Sequence, residues 1–209
     1  MKIKLILLLC SSLFFTSCID IFHTVSLNNG RAEVTVRYTI QKAILEMGSS
    51  FSGEEMDYSE FTEMGEEMFG EYRGISGEII PIDNSFHIGA EVRIKGAIKT
   101  IKKELQNENL EFLPTKTKNG YEILIPGMGD EEADETALAF ISGSRYILLV
   151  DLSGDLKDIT KARLKFEDES LDLDKENEIL VNIYGSSMVI EIPMAYLFMS
   201  SESFAIELS

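Results

Sequence analysis

Two histidines, two cysteines and 36 acidic side chains are the groups best able to do chemistry in this 209-residue chain. Nucleophilic catalysis needs a Ser, Thr or Cys with a base beside it, and the imidazoles are His23 and His87. Each lies in a stretch that alternates apolar and polar residues, which marks an ordinary sheet residue. No Gly-x-Ser-x-Gly elbow accompanies them. A zinc centre draws on three or four suitable ligands, so two imidazoles leave it dependent on carboxylates. Calcium fits the oxygen-rich composition better. Asp172, Asp174, Glu176 and Glu178 are spaced by two, as in a calcium loop, but Asn177 and Ile183 stand where an EF-hand needs Gly and Glu. Asp151, Ser153 and Asp155 fail similarly, with Gly154 too early. Both segments read more simply as acidic turns between strands. So many carboxylates also make any chosen pair uninformative for hydrolysis. The loop IPGMGDEE lacks the Gly spacing and Lys of a phosphate loop. The sequence therefore assigns no catalytic, metal-ligating or cofactor-binding residue, and no cofactor.

Cys18 stands apart. The chain opens MKIKLILLLCSSLFFTSC, with Lys2 and Lys4 ahead of an apolar run from Ile3 to Phe15. That is the layout of a secretory signal. A membrane span needs roughly 20 apolar residues, and this run is shorter and broken by Cys10, Ser11 and Ser12. The sequence Phe15-Thr16-Ser17-Cys18 at its end resembles the lipobox of bacterial lipoproteins, in the looser form found in spirochaetes. It departs from the usual pattern in carrying Phe15 where Leu is commonest. The resemblance covers residues 1–18 alone; no family of the folded body is recognised.

The resemblance implies that Cys18 receives a diacylglycerol on its sulfur and, after removal of residues 1–17, becomes the N-terminus. Two or more fatty acyl chains such as palmitate hold a protein durably, where one holds it marginally. Asp20 stands two places after Cys18, whereas the inner-membrane retention signal of some lipoproteins puts Asp directly after the Cys; by that resemblance an outer-membrane or surface location is favoured. Loss of Lys2 and Lys4 takes the formal charge from −17 to about −19. Loss of Cys10 leaves a lipidated chain with no free thiol and no disulfide, even in a compartment that permits them. The acidic body is repelled by anionic headgroups, and without a basic stripe it excludes nucleic acid as a partner.

The elements around these residues are mostly strands. IDIFHTVSL and RAEVTVRYTI alternate on either side of Asn28-Asn29-Gly30, which predicts a β-hairpin through a type I′ turn. No Ser/Gly-rich tether separates it from Cys18, so the body is expected close to the bilayer. Residues 41–72 predict helix, with Phe61, Met64, Met68 and Tyr72 on one stripe. Alternation returns over residues 85–95, and GAIKTIKKEL after it fits helix or strand. Asn119-Gly120 predicts a second hairpin, and residues 130–142 a helix with acids in its first turn. From Arg145 onward YILLV, ARLKF, EILVNIYG, residues 188–199 and FAIEL all read as strand.

The expected fold class is thus α+β: a mainly antiparallel sheet, a few helices in the N-terminal part, and a mostly β C-terminal part. The expected division is a signal at 1–17, an α+β domain at 18–152 and a mostly β subdomain at 153–209, with a soft boundary at 153–160 that can be continuous. The expected function is that of a cell-envelope lipoprotein held in the membrane through Cys18, non-enzymatic, binding or structural, with an envelope protein or apolar ligand as partner. One alternative is an extracytoplasmic hydrolase using carboxylates, calcium-assisted or not. Another is a carrier for an apolar ligand, suggested by Met56, Met64, Met68 and residues 188–199.

Overall fold

At the first Asn-Gly pair, Asn29 and Gly30 have φ of 51° and 69°. Both central turn positions are therefore left-handed, the backbone a type I′ hairpin demands. The flanking strands β1 (Ile19–Asn28) and β2 (Arg31–Gln41) pair antiparallel from Ile19↔Ile40 to Asn28↔Arg31. Their alternation sends Ile21, Val25, Leu27, Ala32 and Val34 into the core. The computed structural model describes residues 19–43, 45–46, 74–104, 112–125, 127, 141, 143–166, 169–172, 179–198 and 203–209.

Along the chain there follow β3 (Ile75–Asp83), β4 (His87–Ala97), helix α1 (Ile98–Glu104), β5 (Thr115–Lys116) and β6 (Tyr121–Ile125). Then come β7 (Arg145–Asp151), a 3-10 turn (Gly154–Leu156), β8 (Ala162–Phe166) and β9 (Glu169–Asp172). The chain ends with β10 (Leu180–Tyr184), β11 (Ser187–Pro193), helix α2 (Met194–Phe198) and β12 (Phe204–Leu208). A seven-stranded sheet runs β10-β11-β7-β1-β2-β4-β3 and a five-stranded sheet runs β5-β6-β12-β8-β9. Among the described residues every pairing is antiparallel except β1 with β7, which is parallel from Asp20↔Arg145 to Val25↔Val150.

One core joins the two sheets. Ile21, Val25, Leu148, Val150, Met188, Ile190 and Ile192 of the first cluster with Ile123, Ile125, Leu164, Phe204, Ile206 and Leu208 of the second. Each such side chain contributes about 1.5–3 kcal/mol on burial. Exposed ion pairs such as Lys95–Glu33 at 2.6 Å contribute about 0–1 kcal/mol. The shared apolar core therefore dominates.

The expected α+β class is corrected: the chain is mostly β. Among the described residues twelve strands stand against two short complete helices, and the N-terminal part is built of β1 to β4. Of residues 41–72, Gln41 ends β2, residues 42, 43, 45 and 46 are helical, and Phe61, Met64, Met68 and Tyr72 lie outside the described residues. So does nearly all of 130–142. Strand β3 has no counterpart in the sequence reading because Gly77 and Pro81 punctuate it. It lies at the sheet edge, paired with β4 alone, and an edge strand tolerates a missing N–H. GAIKTIKKEL divides at Ala97: strand before, helix after, with Ile101 fully buried and Lys102 and Lys103 in the last turn, where the dipole favours them.

Residues 188–199 are likewise not one strand. Apolar period 2 holds through Ile192, and Met194 and Leu197 then fall three apart on helix α2, all buried. The expected boundary at 153–160 does not separate the sheets. Strands β10 and β11 complete the first sheet, and β5 and β6 pair into the second beside β12.

Gly89 tests the packing of β4 on β2. A Cβ there would lie 2.0 Å from the Tyr38 carbonyl oxygen, whereas one at Gly143 meets nothing within 4 Å. Gly89→Ala is expected to cost upwards of about 3 kcal/mol in urea unfolding, and Gly143→Ala less than about 0.5 kcal/mol. Equal costs would contradict this register.

Candidate functional site

Cys18 lies outside the described residues; Ile19, which follows it, belongs to β1. The Ile19 N–H donates to Ser144 Oγ at 3.0 Å. Ser144 is fully buried; its own N–H donates to the Ile141 carbonyl at 2.9 Å, and its carbonyl accepts from Met194 N–H at 3.0 Å. One serine thus fastens the start of β1 to the entries of β7 and α2. Ser144 carries no signal in the sequence, because Ile19 and Met194 are distant along the chain.

His23 is the second notable group. It points inward from β1, is fully buried, and its Nδ1 is 2.5 Å from the Tyr146 hydroxyl on β7. The rings of Phe112 and Tyr146 meet it edge-on, at centroid distances of 6.3 and 6.1 Å. Nε2 makes no hydrogen bond of normal geometry among the described residues. Burial lowers the imidazole pKa to about 3, with the Phe112 backbone acting weakly in the opposite sense. Burial likewise pushes the Tyr146 phenol well above its usual value. A neutral ring sealed from solvent is a core residue and is closed to substrate. His87, by contrast, opens β4 half-buried at the sheet end, opposite Gln41.

The carboxylates considered for calcium are engaged in turn geometry. Asp151 accepts from Ser153 N–H at 3.0 Å, Ser153 Oγ at 2.8 Å and Ser26 Oγ at 3.1 Å. Asp155 accepts from the Gly30 N–H at 2.7 Å. Together they tie the 3-10 turn to the β1–β2 hairpin. Asp172 is the last residue of β9, and Asp174, Glu176 and Glu178 lie outside the described residues, as do Met56, Met64 and Met68. Among the described residues no three His, Cys, Asp or Glu side chains converge as a metal site. A shallow depression of about 340 Å³ beside the hairpin turn is lined by Ser26, Asn28, Asn29, Arg31, Glu33 and Lys95.

The β3–β4 turn is a further feature that the sequence reading passed over. Asn84 Oδ1 accepts from the N–H groups of Phe86 and His87, each at 2.9 Å. Asn84 N–H donates to the His87 carbonyl at 3.0 Å, and Lys42 N–H to the Phe86 carbonyl at 2.8 Å. Lys42 also pairs with Asp83. Asn followed two and three residues on by the amides it caps is a readable turn signal. The Phe86 ring stands 74% exposed on it.

Compared with family models, curated proteins and solved structures, the chain matches none of them. Among the described residues no helix is long and apolar enough to cross a membrane.

The buried pair has a pH consequence. Below the unfolded pKa of about 6.5, the unfolded chain takes up a proton that folded His23 refuses until about 3. This contribution to stability is therefore complete above pH 6.5 and is lost as pH falls towards 3, by about 1.4 kcal/mol per pH unit. Replacing both partners by apolar groups (His23→Leu with Tyr146→Phe) is expected to shrink the stability loss between pH 6.5 and 4.5 by about 2–3 kcal/mol. Urea unfolding at the two pH values measures it, and an unchanged loss would remove His23 from the account.

Proposed function

We propose that this chain is a lipoprotein of a bacterial cell envelope, cut before Cys18, acylated there, and working as a non-enzymatic binding or structural module at the membrane surface. The observation that carries the reading is the lipobox-like Phe15-Thr16-Ser17-Cys18 at the end of an apolar run. It puts the mature N-terminus at residue 18, directly ahead of Ile19, which pairs with Ile40 in the larger sheet and whose N–H is held by buried Ser144. A signal removed before Cys18 cuts none of the seven described strands of the larger sheet.

The lack of slack fits the same reading. Between Cys18 and the sheet there is one peptide link of about 3.8 Å, so an acyl group on Cys18 holds the body against the headgroups. The binding or structural role is supported by how the reactive side chains are used. His23 is packed between Tyr146 and Phe112, and Asp151 and Asp155 organise a turn. The envelope partner is a protein or an apolar molecule, met close to the bilayer.

The test is metabolic labelling of the full-length chain with a clickable fatty acid, beside a Cys18→Ala control. Label in the native chain, absent from the control, is the expected result. A chain cut near Ser17 that carries no label would make it a secreted soluble protein.

A further inference from the structure

Resting on that reading of Cys18, we propose that one end of the seven-stranded sheet is a lipid-contacting surface, and that Phe86 is the side chain that enters the bilayer interface. The register supplies the geometry. Ile19 pairs with Ile40, and Ile40 with Ile88. Two strand spacings separate Ile19 from Ile88, about 10 Å across the sheet. Phe86 lies two residues beyond Ile88, past the end of the strand, and Cys18 lies one residue beyond Ile19. Ile19, the residue that follows the acylated Cys18 in the chain, and the exposed Phe86 ring therefore lie at the same end of the sheet.

The tip is built to hold the ring out. Asn84 caps two amides of the turn, and the Phe86 carbonyl is held by Lys42 N–H. Insertion of Phe86 then gains apolar burial with little ordering of the backbone, the general advantage of a preorganised contact. The charges are arranged to permit it. The chain is strongly acidic, yet residues 84–86 carry no charge, and flanking Asp83 is paired with Lys42. Phe86 is also the most exposed large apolar side chain among the described residues, at 74%. Tyr184, at 66%, is the last residue of β10, paired with Ser187 at the opposite end, where Ser187 also pairs with Asp151.

The chain contains no Trp, so Phe86→Trp and Tyr184→Trp each introduce a single indole at an exposed site. Each acylated full chain is placed in phosphatidylcholine vesicles whose acyl chains are brominated, and its emission is compared with that in unbrominated vesicles. The Phe86→Trp indole is expected to shift to the blue and lose emission to bromine, and the Tyr184→Trp indole to do neither. Vesicle flotation and the acyl mass on Cys18 are read on the same samples. A chain that floats and carries the acyl mass, but whose Phe86→Trp indole is unquenched or quenched no more than that of Tyr184→Trp, overturns the surface and leaves the anchor standing. Absence of the acyl mass overturns the reading beneath both. Should Phe86→Trp not fold, a nitroxide on Phe86→Cys reports the same depth by power-saturation spectroscopy.

Discussion

The parallel pairing of β1 with β7 is the constraint on which the rest of the structure depends. Strand β1 is the fourth of seven in its sheet, with β2 on one side and β7 on the other. A parallel neighbour cannot be reached by a tight turn, and the chain between β2 and β7 contributes β3, β4, α1, β5 and β6 on its way. The first residues after Cys18 thus form the middle of the larger sheet. Its buried face is completed by residues contributed more than 100 positions later, among them Leu148, Val150 and Ile190. Anything attached to Cys18 is attached, through one peptide link, to the central strand of the larger sheet.

Two buried polar arrangements hold that strand, in different ways. Ser144 uses its hydroxyl, N–H and carbonyl together, accepting from Ile19 and Met194 and donating to Ile141. A buried group so satisfied avoids the penalty of about 1–3 kcal/mol for an unmade hydrogen bond. The His23–Tyr146 contact joins β1 to β7 from within the core, and it remains favourable while the imidazole is neutral. The first fixes where the sheet begins, and the second makes the central pairing sensitive to acid.

Much of the strand content was legible in the sequence, because it is local. Asn29 and Gly30 dictate the hairpin turn, and alternation identifies β1, β2, β4, β8 and β12 within a residue or two at most of their ends. Asn119-Gly120 marks the turn between β5 and β6, where Thr117 N–H donates to the Gly120 carbonyl. What was not legible is either disguised or long-range. Pro81 and Gly77 hide an edge strand, and the change of period at Met194 hides a helix behind an apolar run. The order of strands depends on pairings such as His23↔Leu148 that no window of sequence contains. His23 looked like an ordinary sheet residue and is one, but its Tyr146 partner lies 123 positions away. Ser144 and Phe86 gained meaning only once the topology set them at the same end as Ile19.

If Cys18 carries the proposed acyl anchor, one peptide link joins that anchor to Ile19 of β1 and leaves no slack. Neutron reflectometry of the acylated chain on a supported bilayer measures the separation directly. Protein density continuous with the headgroup layer is expected, because Ile19 is already in the sheet. A hydrated gap wider than about 10 Å, the reach of roughly three extended residues, would contradict it.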